Sequence, residues 1–235
     1  MLETARTLRD APAIPVNGAV LIADISGAAF EPETATLLVA DLHLEKGSAF
    51  AAKGQLLPPY DTRETLRRLI EAVTRLGARR VVALGDSFHD LGADGRIHDT
   101  DAAALATLVG SVEDWLWIEG NHDPDPPARF GGRTAPEARL GPLTLRHEPR
   151  NGAAPGEVAG HLHPCARLSV RGRGFRRRCF ASDGSRLVLP AFGAFTGGLN
   201  VCDPAWRSVF DVRPTAWMLG DAGVFPIAGR RLRSD

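Results

Sequence analysis

Short apolar runs that end at polar clusters recur along the first half of the chain. Leu37–Ala40, Val81–Leu84 and Trp115–Ile118 have the length and composition of buried strands. Between the first two runs, residues 62–76 repeat apolar side chains at helical spacing and stop at Gly77, and residues 100–109 repeat the pattern more weakly. The first half therefore predicts alternating strands and helices. The apolar face of the first helix comprises Leu66, Leu69, Ile70, Val73 and Leu76.

Helical periodicity disappears after Leu143, and short strands replace it. Asp221-Ala222-Gly223 is typical of the turn of a closing hairpin. An α/β half followed by a β-rich half favours two packed sheets with helices outside. Because no linker interrupts the chain, we expect a single domain spanning residues 1–235. The strands predicted in the second half are Leu143–Arg146, Glu157–Ala159, Arg177–Ala181, Leu187–Leu189, Ser208–Val212 and Trp217–Leu219.

Composition narrows the class of protein without pointing to a partner. The 235 residues are 44% hydrophobic, and 28 Lys+Arg balance 28 Asp+Glu, so no global field attracts nucleic acid or membrane. Three cysteines without C-x-x-C spacing argue against a disulfide framework and a zinc knuckle. No apolar run has the length of a signal sequence core or a spanning helix, and we expect a cytoplasmic protein with no membrane partner.

Four polar clusters carry the candidate chemistry, and each follows a predicted strand. Since loops at the carboxyl ends of strands meet in one crevice, these clusters can converge. Carboxylate, imidazole and amide donors suit manganese, iron or zinc, and a pair of such ions can clamp a phosphate and activate a water. A glycine before Asp86, Asn121 and His161 suits a tight turn that brings the backbone close to the metals. The clusters are Asp41-Leu42-His43, Gly85-Asp86, Gly120-Asn121-His122-Asp123 and Gly160-His161-Leu162-His163.

Taken in order, with His147 between the third and fourth, these clusters resemble the calcineurin-like metallophosphoesterase superfamily. Its motifs read D-x-H, G-D, G-N-H-D/E, an isolated His and G-H-x-H, and the match spans residues 36–165. The resemblance implies a four-layer α-β-β-α sandwich with two mixed β-sheets. Four runs are similar to a narrower group, the bacterial ligase-associated DNA damage response endonucleases. They are Asp41–Gly47, Arg146–Pro149, Gly160–Pro164 and Pro190–Gly198.

The resemblance also implies roles for individual side chains. His122 would be a catalytic residue and, with Asn121, a substrate contact, stabilising transition-state charge or protonating the leaving alkoxide. The cofactors would be two divalent transition-metal ions, manganese before iron or zinc. One ion would be held by Asp41, His43 and His163, the other by Asn121, His147 and His161, with Asp86 bridging the two.

One position departs from the pattern of many phosphatases in the superfamily. They read G-D-x-x-D, whereas His89 stands at the last position here. A histidine there resembles the double-strand-break repair nucleases of the superfamily, where it assists at the scissile phosphodiester, so His89 is the second catalytic candidate. The departure leaves two candidates, Asp90 and Asp123, for the group that orients His122.

We therefore expect a dinuclear metal-dependent phosphodiesterase, a DNA-repair-associated nuclease acting on nucleic acid, DNA before RNA. The resemblance implies a setting beside an ATP-dependent DNA ligase and a helicase. A metallophosphatase, or a phosphodiesterase for cyclic nucleotides or other small molecules, would share every ligand, and a non-catalytic scaffold of the same fold is the alternative of another class. The arginine-rich segment Arg171–Arg178 fits equally a track for a nucleic-acid backbone and a charged strand edge that blocks pairing.

Overall fold

The first half of the chain builds a mixed seven-stranded sheet in the computed structural model, which describes residues 12–235. The strands lie side by side in chain order; β1 to β4 are antiparallel neighbours, and β4 to β7 are parallel neighbours. The three strands predicted here correspond to β4, β5 and β6. The bounds are β1 Ala13–Val16, β2 Ala19–Ala23, β3 Ala29–Glu31, β4 Thr36–Val39, β5 Arg80–Leu84, β6 Asp114–Ile118 and β7 Arg133–Ala135.

Three α-helices are described, and the two longer ones match the predicted helices. They are α1 Lys46–Ala52, α2 Asp61–Leu76 and α3 Asp99–Gly110. Helix α2 ends where Gly77 adopts a left-handed conformation, as the sequence predicts. Ile70 departs from its predicted place on the buried face, because it is 40% exposed while Leu69 is fully buried. Within residues 12–235, no helix combines the length and apolar character that a membrane crossing requires.

The second half forms a nine-stranded mixed sheet. Its main order is β14-β11-β12-β13-β10-β9-β8, with β15 added to β12 and β16 to β15. Strands β9, β10 and β13 are parallel to one another. The bounds are β8 Glu137–Leu140, β9 Leu143–Arg146, β10 Glu157–Ala159, β11 Pro164–Val170, β12 Arg173–Ser182, β13 Leu187–Val188, β14 Leu199–Asn200, β15 Thr215–Gly220 and β16 Gly223–Ile227.

One predicted strand of this half is wrong. Ser208 ends a 3-10 helix, Pro204–Ser208, and residues 209–212 after it do not form a strand. Asp203 starts that helix by accepting a hydrogen bond from the backbone N–H of Ala205, and Pro204 supplies a preset first turn. Val209 and Phe210, whose apolar character suggested a strand, are buried beneath the sheet instead.

The two sheets pack face to face over an inner core, and this packing confirms the predicted fold class. Leu38 and Val82 from the first sheet meet Val158 and Phe180 from the second. On the opposite face of the first sheet, alternate residues pack against α2 and α3, so its central strands are buried on both sides. The outer face of the second sheet is covered by the 3-10 helix, through Trp206, rather than by a described α-helix.

Candidate metal centre

The side chains predicted as metal ligands come from the carboxyl ends of strands in both sheets. The loops after β4 and β5 extend the pairing of those strands, because His43 N–H donates to the Asp86 carbonyl at 2.9 Å and His89 N–H donates to the Leu44 carbonyl at 2.9 Å. Each loop therefore fixes the other. Asp41 and His43 follow β4, Asp86 follows β5, Asn121 follows β6, His147 follows β9, and His161 and His163 follow β10.

Backbone conformation is unusual at these positions. Nine non-glycine residues of the described chain have positive φ, and five of them are candidate ligands. Such conformations cost about 1–3 kcal/mol each and persist only where the surroundings enforce them. Their concentration at one place indicates that the loops are shaped to aim side chains rather than to relax. The five are Asp41, His43, Asp86, His161 and His163.

Glycines before the ligands allow the close approach that the sequence predicts. A Cβ on Gly85 would lie 2.5 Å from the His147 ring, and one on Gly160 would lie 2.8 Å from Asp41 Oδ2. A Cβ on Gly120 would overlap the backbone of Asp86. No side chain larger than hydrogen fits at these three positions without moving a candidate ligand.

Asp41, His43 and His163 form the first of two groups. Their ligand atoms lie within 4.8 Å of one another, with His43 Nε2 3.2 Å from His163 Nε2, and His163 Nε2 3.4 Å from Asp41 Oδ1. Burial, and then the neighbouring His163, lower the pKa of His43 to about 3. The backbone N–H of His161 donates to the Asp41 carboxylate at 3.0 Å, which orients it. His43 therefore presents a neutral imidazole to the group.

Asp86, His147 and His161 form the second group, and Asn121 joins it. His147 Nε2 lies 3.1 Å from His161 Nδ1, 3.3 Å from Asp86 Oδ1 and 2.9 Å from Asn121 Oδ1. On the other side of the ring, Nδ1–H of His147 donates to the Leu84 carbonyl at 2.9 Å, so Nε2 is the nitrogen that faces the group and can bind an ion once it is deprotonated. All seven side chains predicted as ligands are thus brought together.

Asp86 lies between the groups. Its Oδ1 faces His147, while its Oδ2 lies 4.0 Å from His43 Nε2. Burial would raise the pKa of Asp86, but the hydrogen bond and charge of His147, the N–H of His122 and the charge of His43 together outweigh burial and lower the pKa to about 2. Burial would likewise lower the pKa of His147, but Asp86 and Asp41 raise it to about 9. In the absence of metal, a proton on His147 therefore compensates the carboxylates.

The donor set fits a pair of divalent transition-metal ions. Neighbouring atoms that bind one ion at about 2.0–2.1 Å lie about 2.8–3.4 Å apart in octahedral or tetrahedral geometry. The closest nitrogen pairs within the two groups are 3.2 Å and 3.1 Å apart, which matches that spacing. Nitrogen and oxygen donors without thiolate suit manganese, iron or zinc. Both groups could therefore hold an ion, and Asp86 is positioned to bridge them.

Comparison with known proteins adds the family. The structure is similar to the crystal structure of Pseudomonas putida nuclease MPE, with a TM-score of 0.71 and 30% sequence identity over 93% of this chain and 100% of that chain. The chain belongs to the metallophosphoesterase family. A weaker likeness, to the E. coli phosphoesterase YfcE, has a TM-score of 0.41 and 17% identity over 83% of this chain and 98% of that one. No protein-family model and no curated protein sequence matches the chain.

As a metallophosphoesterase with both groups of ligand side chains, the chain is a metal-dependent phosphoesterase. The similarity to the nuclease also supports the resemblance to the DNA damage response endonucleases. The ring of His122 stands beside this metallophosphoesterase centre, 5.3 Å from the ring of His43, and it stacks on His89 at 5.4 Å. Both candidate catalytic histidines therefore lie at the centre.

Neither predicted partner orients His122. Its Nδ1 lies 2.7 Å from the backbone carbonyl of His89. Asp123 instead accepts the backbone N–H groups of Ser87 and Phe88 at 2.8 and 3.1 Å, and Asp90 pairs with Arg96 at 2.7 Å. The interpretation failed because a sequence pattern points to side chains, whereas the orienting group is a backbone carbonyl.

Two parts of the metallophosphoesterase centre were not assigned roles from the sequence. The first part is the segment Pro190–Gly198, which pairs with the end of β4 because Gly193 N–H donates to the Asp41 carbonyl at 3.1 Å. The side chain of Arg178 also holds this segment, by donating to the Ala191 carbonyl at 2.8 Å. Lys46 is half-buried near the histidines, and its charge helps to lower the pKa of His89 after the larger effect of burial. The sequence feature that could have identified Lys46 is its position in the run Asp41–Gly47.

Proposed function

We propose that this chain hydrolyses phosphodiester bonds in nucleic acid, DNA before RNA, with two divalent transition-metal ions, Mn²⁺ before iron or zinc. The observation that carries the proposal is the position of Asp86, whose two oxygens face the two ligand groups while His122 and His89 stand beside it. An ion in each group would polarise phosphoryl oxygens and lower the pKa of a water between them.

His122 is the side chain best placed to handle the proton of the leaving alkoxide. Because its Nδ1–H donates to the His89 carbonyl, Nε2 is the nitrogen free to bind and release a proton, and it lies 3.9 Å from Asp86 Oδ2. The His122 side chain is 40% exposed, so a phosphodiester can reach it. General acid catalysis of this kind contributes about 10²–10⁴-fold to the rate.

Two further side chains complete the proposed substrate contacts. Asn121 turns its Oδ1 toward His147 at 2.9 Å, which leaves the amide NH₂ to donate to a phosphate oxygen. His89 puts an imidazole where a phosphatase of the superfamily carries a carboxylate, so one negative charge is removed from the rim. Phe50 lies 5.9 Å from the His89 ring and gives this rim an apolar wall. An apolar wall beside the phosphate favours a substrate that carries a nucleoside there.

The wider setting follows from the family resemblance. We infer that residues 1–235 act as one domain in the cytoplasm, in DNA repair, beside an ATP-dependent DNA ligase and a helicase. The similarity to Pseudomonas putida nuclease MPE supports the nucleic-acid substrate. The association is tested by isolating the ligase and the helicase from the cells that make this chain. The chain should be present in the same complex, and the complex should be lost when the chain's gene is deleted.

The decisive experiment compares substrates with metal-reconstituted protein. A bis-aryl phosphate diester and the matching mono-ester are followed with Mn²⁺, beside labelled single-stranded, double-stranded and nicked DNA and RNA. We expect diester turnover and DNA cleavage, and we expect both to disappear in Asp86→Asn. His122→Ala should retain both metal ions by elemental analysis while kcat falls about 10²–10⁴-fold. A large mono-ester preference, or DNA cleavage that survives in Asp86→Asn, would contradict the proposal.

A further inference from the structure

A hairpin with one sign of charge begins immediately after His163. We name residues 164–182, which form β11, its turn and β12, the basic hairpin. Residues 158–182 contain six arginines and neither Asp nor Glu, although the chain as a whole has a formal net charge of +0. The positive charge is therefore concentrated next to the metal centre rather than spread over the surface.

The register of the basic hairpin places like charges against each other. Arg167 lies directly opposite Arg176, and the turn Arg171-Gly172 has positive φ at both residues. Like charges directly opposite each other destabilise a pair of strands unless a counter-charge offsets them. Arg176 pairs with Asp235 at 3.1 Å. Among residues 12–235, Arg167, Arg171 and Arg173 have no carboxylate within the 4.0 Å of an ion pair, and all three are exposed.

The basic hairpin is anchored to the loop that supports the metal centre. Arg176 donates to the Gly198 carbonyl at 2.8 Å, and Arg178 donates to the Ala191 carbonyl at 2.8 Å, which brings both to the segment beside Asp41. Alternate residues of a strand share a face, so Arg176 and Arg178 lie on the same side. Seven residues of β11 extend this side by about 20 Å away from His163.

We propose that the basic hairpin binds the sugar-phosphate backbone of a nucleic-acid substrate on one side of the cleaved bond. This inference rests on the proposed function and adds where the strand lies. It also accounts for nucleic-acid binding by a chain without a global positive field, because the field is local and begins at the centre. A length of about 20 Å is enough for several consecutive phosphates of a single strand.

Protection of strand edges is the competing explanation. β14 pairs with Pro164 and Cys165, and Arg233 bridges to Arg167, so the outer edge of β11 is open only from Leu168 to Val170. Charged side chains on an open edge prevent pairing with other chains. Charged side chains of either sign would protect an edge, however, whereas every charged residue of the basic hairpin is an arginine. The two explanations also differ in what they predict for variants.

The test compares two triple variants with the same change in net charge. R167Q/R171Q/R173Q removes the unpaired charges of the basic hairpin. R80Q/R139Q/R207Q removes three exposed arginines elsewhere, each without a carboxylate within 4.0 Å among residues 12–235. Anisotropy of a labelled single strand is measured in chelator at rising salt, and Mn²⁺-dependent turnover of a bis-aryl diester reports whether the centre is intact.

We expect the hairpin variant to bind more weakly, with the slope of log K against log salt reduced by about 1.4, since each lost phosphate contact removes roughly 0.7. Arg167, on the face of Arg176 and Arg178, and Arg171, in the turn, account for this change, whereas Arg173 lies on the opposite face of β12. The control variant should keep the wild-type slope, and both should keep diester turnover. Equal losses in the two variants, or an unchanged slope with new self-association of the hairpin variant, would overturn the inference. Wild-type protein that hydrolyses the aryl diester but neither binds nor cleaves nucleic acid would overturn the proposed substrate as well.

Discussion

Replacing Gly160 with alanine should damage the metal centre through packing alone. The new Cβ would lie 2.8 Å from both Ala40 Cβ and Asp41 Oδ2, and 3.3 Å from the Leu84 carbonyl oxygen. Carbon atoms in contact are normally about 3.5–4.0 Å apart, so something must move by roughly 0.7 Å or more. Ala40 and Asp41 are fully buried at the end of β4 and have no free space to move into. Overpacking of this kind costs about 1–3 kcal/mol.

The displaced group is Asp41, whose carboxylate accepts the His161 N–H at 3.0 Å. Loss of such an orienting contact lowers metal affinity by about 10–100-fold. Urea unfolding of the metal-free protein measures the stability, and calorimetric titration with Mn²⁺ measures the affinity. Gly110→Ala is the matched control. Its Cβ meets no atom within 4 Å, and alanine at the end of α3 should stabilise the protein by about 0.5–1 kcal/mol. Wild-type stability and metal affinity in Gly160→Ala would refute the packing argument.

Three further predictions follow from charges around the centre. The pKa of His147 is raised to about 9, above its ordinary 6.5, so its stabilising contribution is complete below pH 6.5 and disappears as pH rises through 9. Urea unfolding of chelated protein should show a loss of up to about 3 kcal/mol over that range, and a flat profile contradicts the assignment. We expect the ammonium of Lys46, half-buried near the histidines, to donate a hydrogen bond to a substrate phosphate, so Lys46→Gln should lower kcat/KM for a nucleic-acid strand about tenfold. Lys53→Gln, at the exposed end of α1, should not. Arg178→Met should reduce the free energy of unfolding by about 1–3 kcal/mol, because buried carbonyls lose their hydrogen-bond donor. The same change at exposed Arg177 should have almost no effect. Equal effects of the Lys46 and Lys53 variants, or of the Arg178 and Arg177 variants, would argue against these roles.

Much of the fold was accessible from the sequence where one periodicity dominated. Helix α2 and strands β9 and β10 lie where the pattern predicted them, because their apolar residues face one continuous core. The antiparallel strands β1 to β3 were not predicted, although Asn17-Gly18, a strong hairpin signal, forms the first turn with positive φ at both residues. The strand predicted at Ser208–Val212 is wrong because helix capping at Asp203 outweighed strand propensity.

The candidate centre also contains features that could be predicted from the sequence and features that could not. The resemblance to the superfamily motifs selected seven candidate ligand side chains, and the fold brings them together, because metal binding restricts donor chemistry more tightly than backbone conformation. Contacts made by backbone groups could not be predicted from the sequence. The carbonyl of His89 that orients His122, and the guanidinium of Arg178 on the segment after Pro190, depend on loops meeting in space. Such partners become visible only after the tertiary structure is known.

The arrangement also links metal binding to the packing of the two sheets. His163 comes from the second sheet and completes a group with Asp41 and His43 from the first. His147 and His161 come from the second sheet and complete a group with Asp86 from the first. Because neither sheet contains a complete group, ions that bind the assembled centre stabilise the sheet-sheet interface by mass action. The inner core in turn holds five candidate ligands in left-handed conformations that an isolated loop would leave, so the strain at the centre is sustained by apolar packing beneath it.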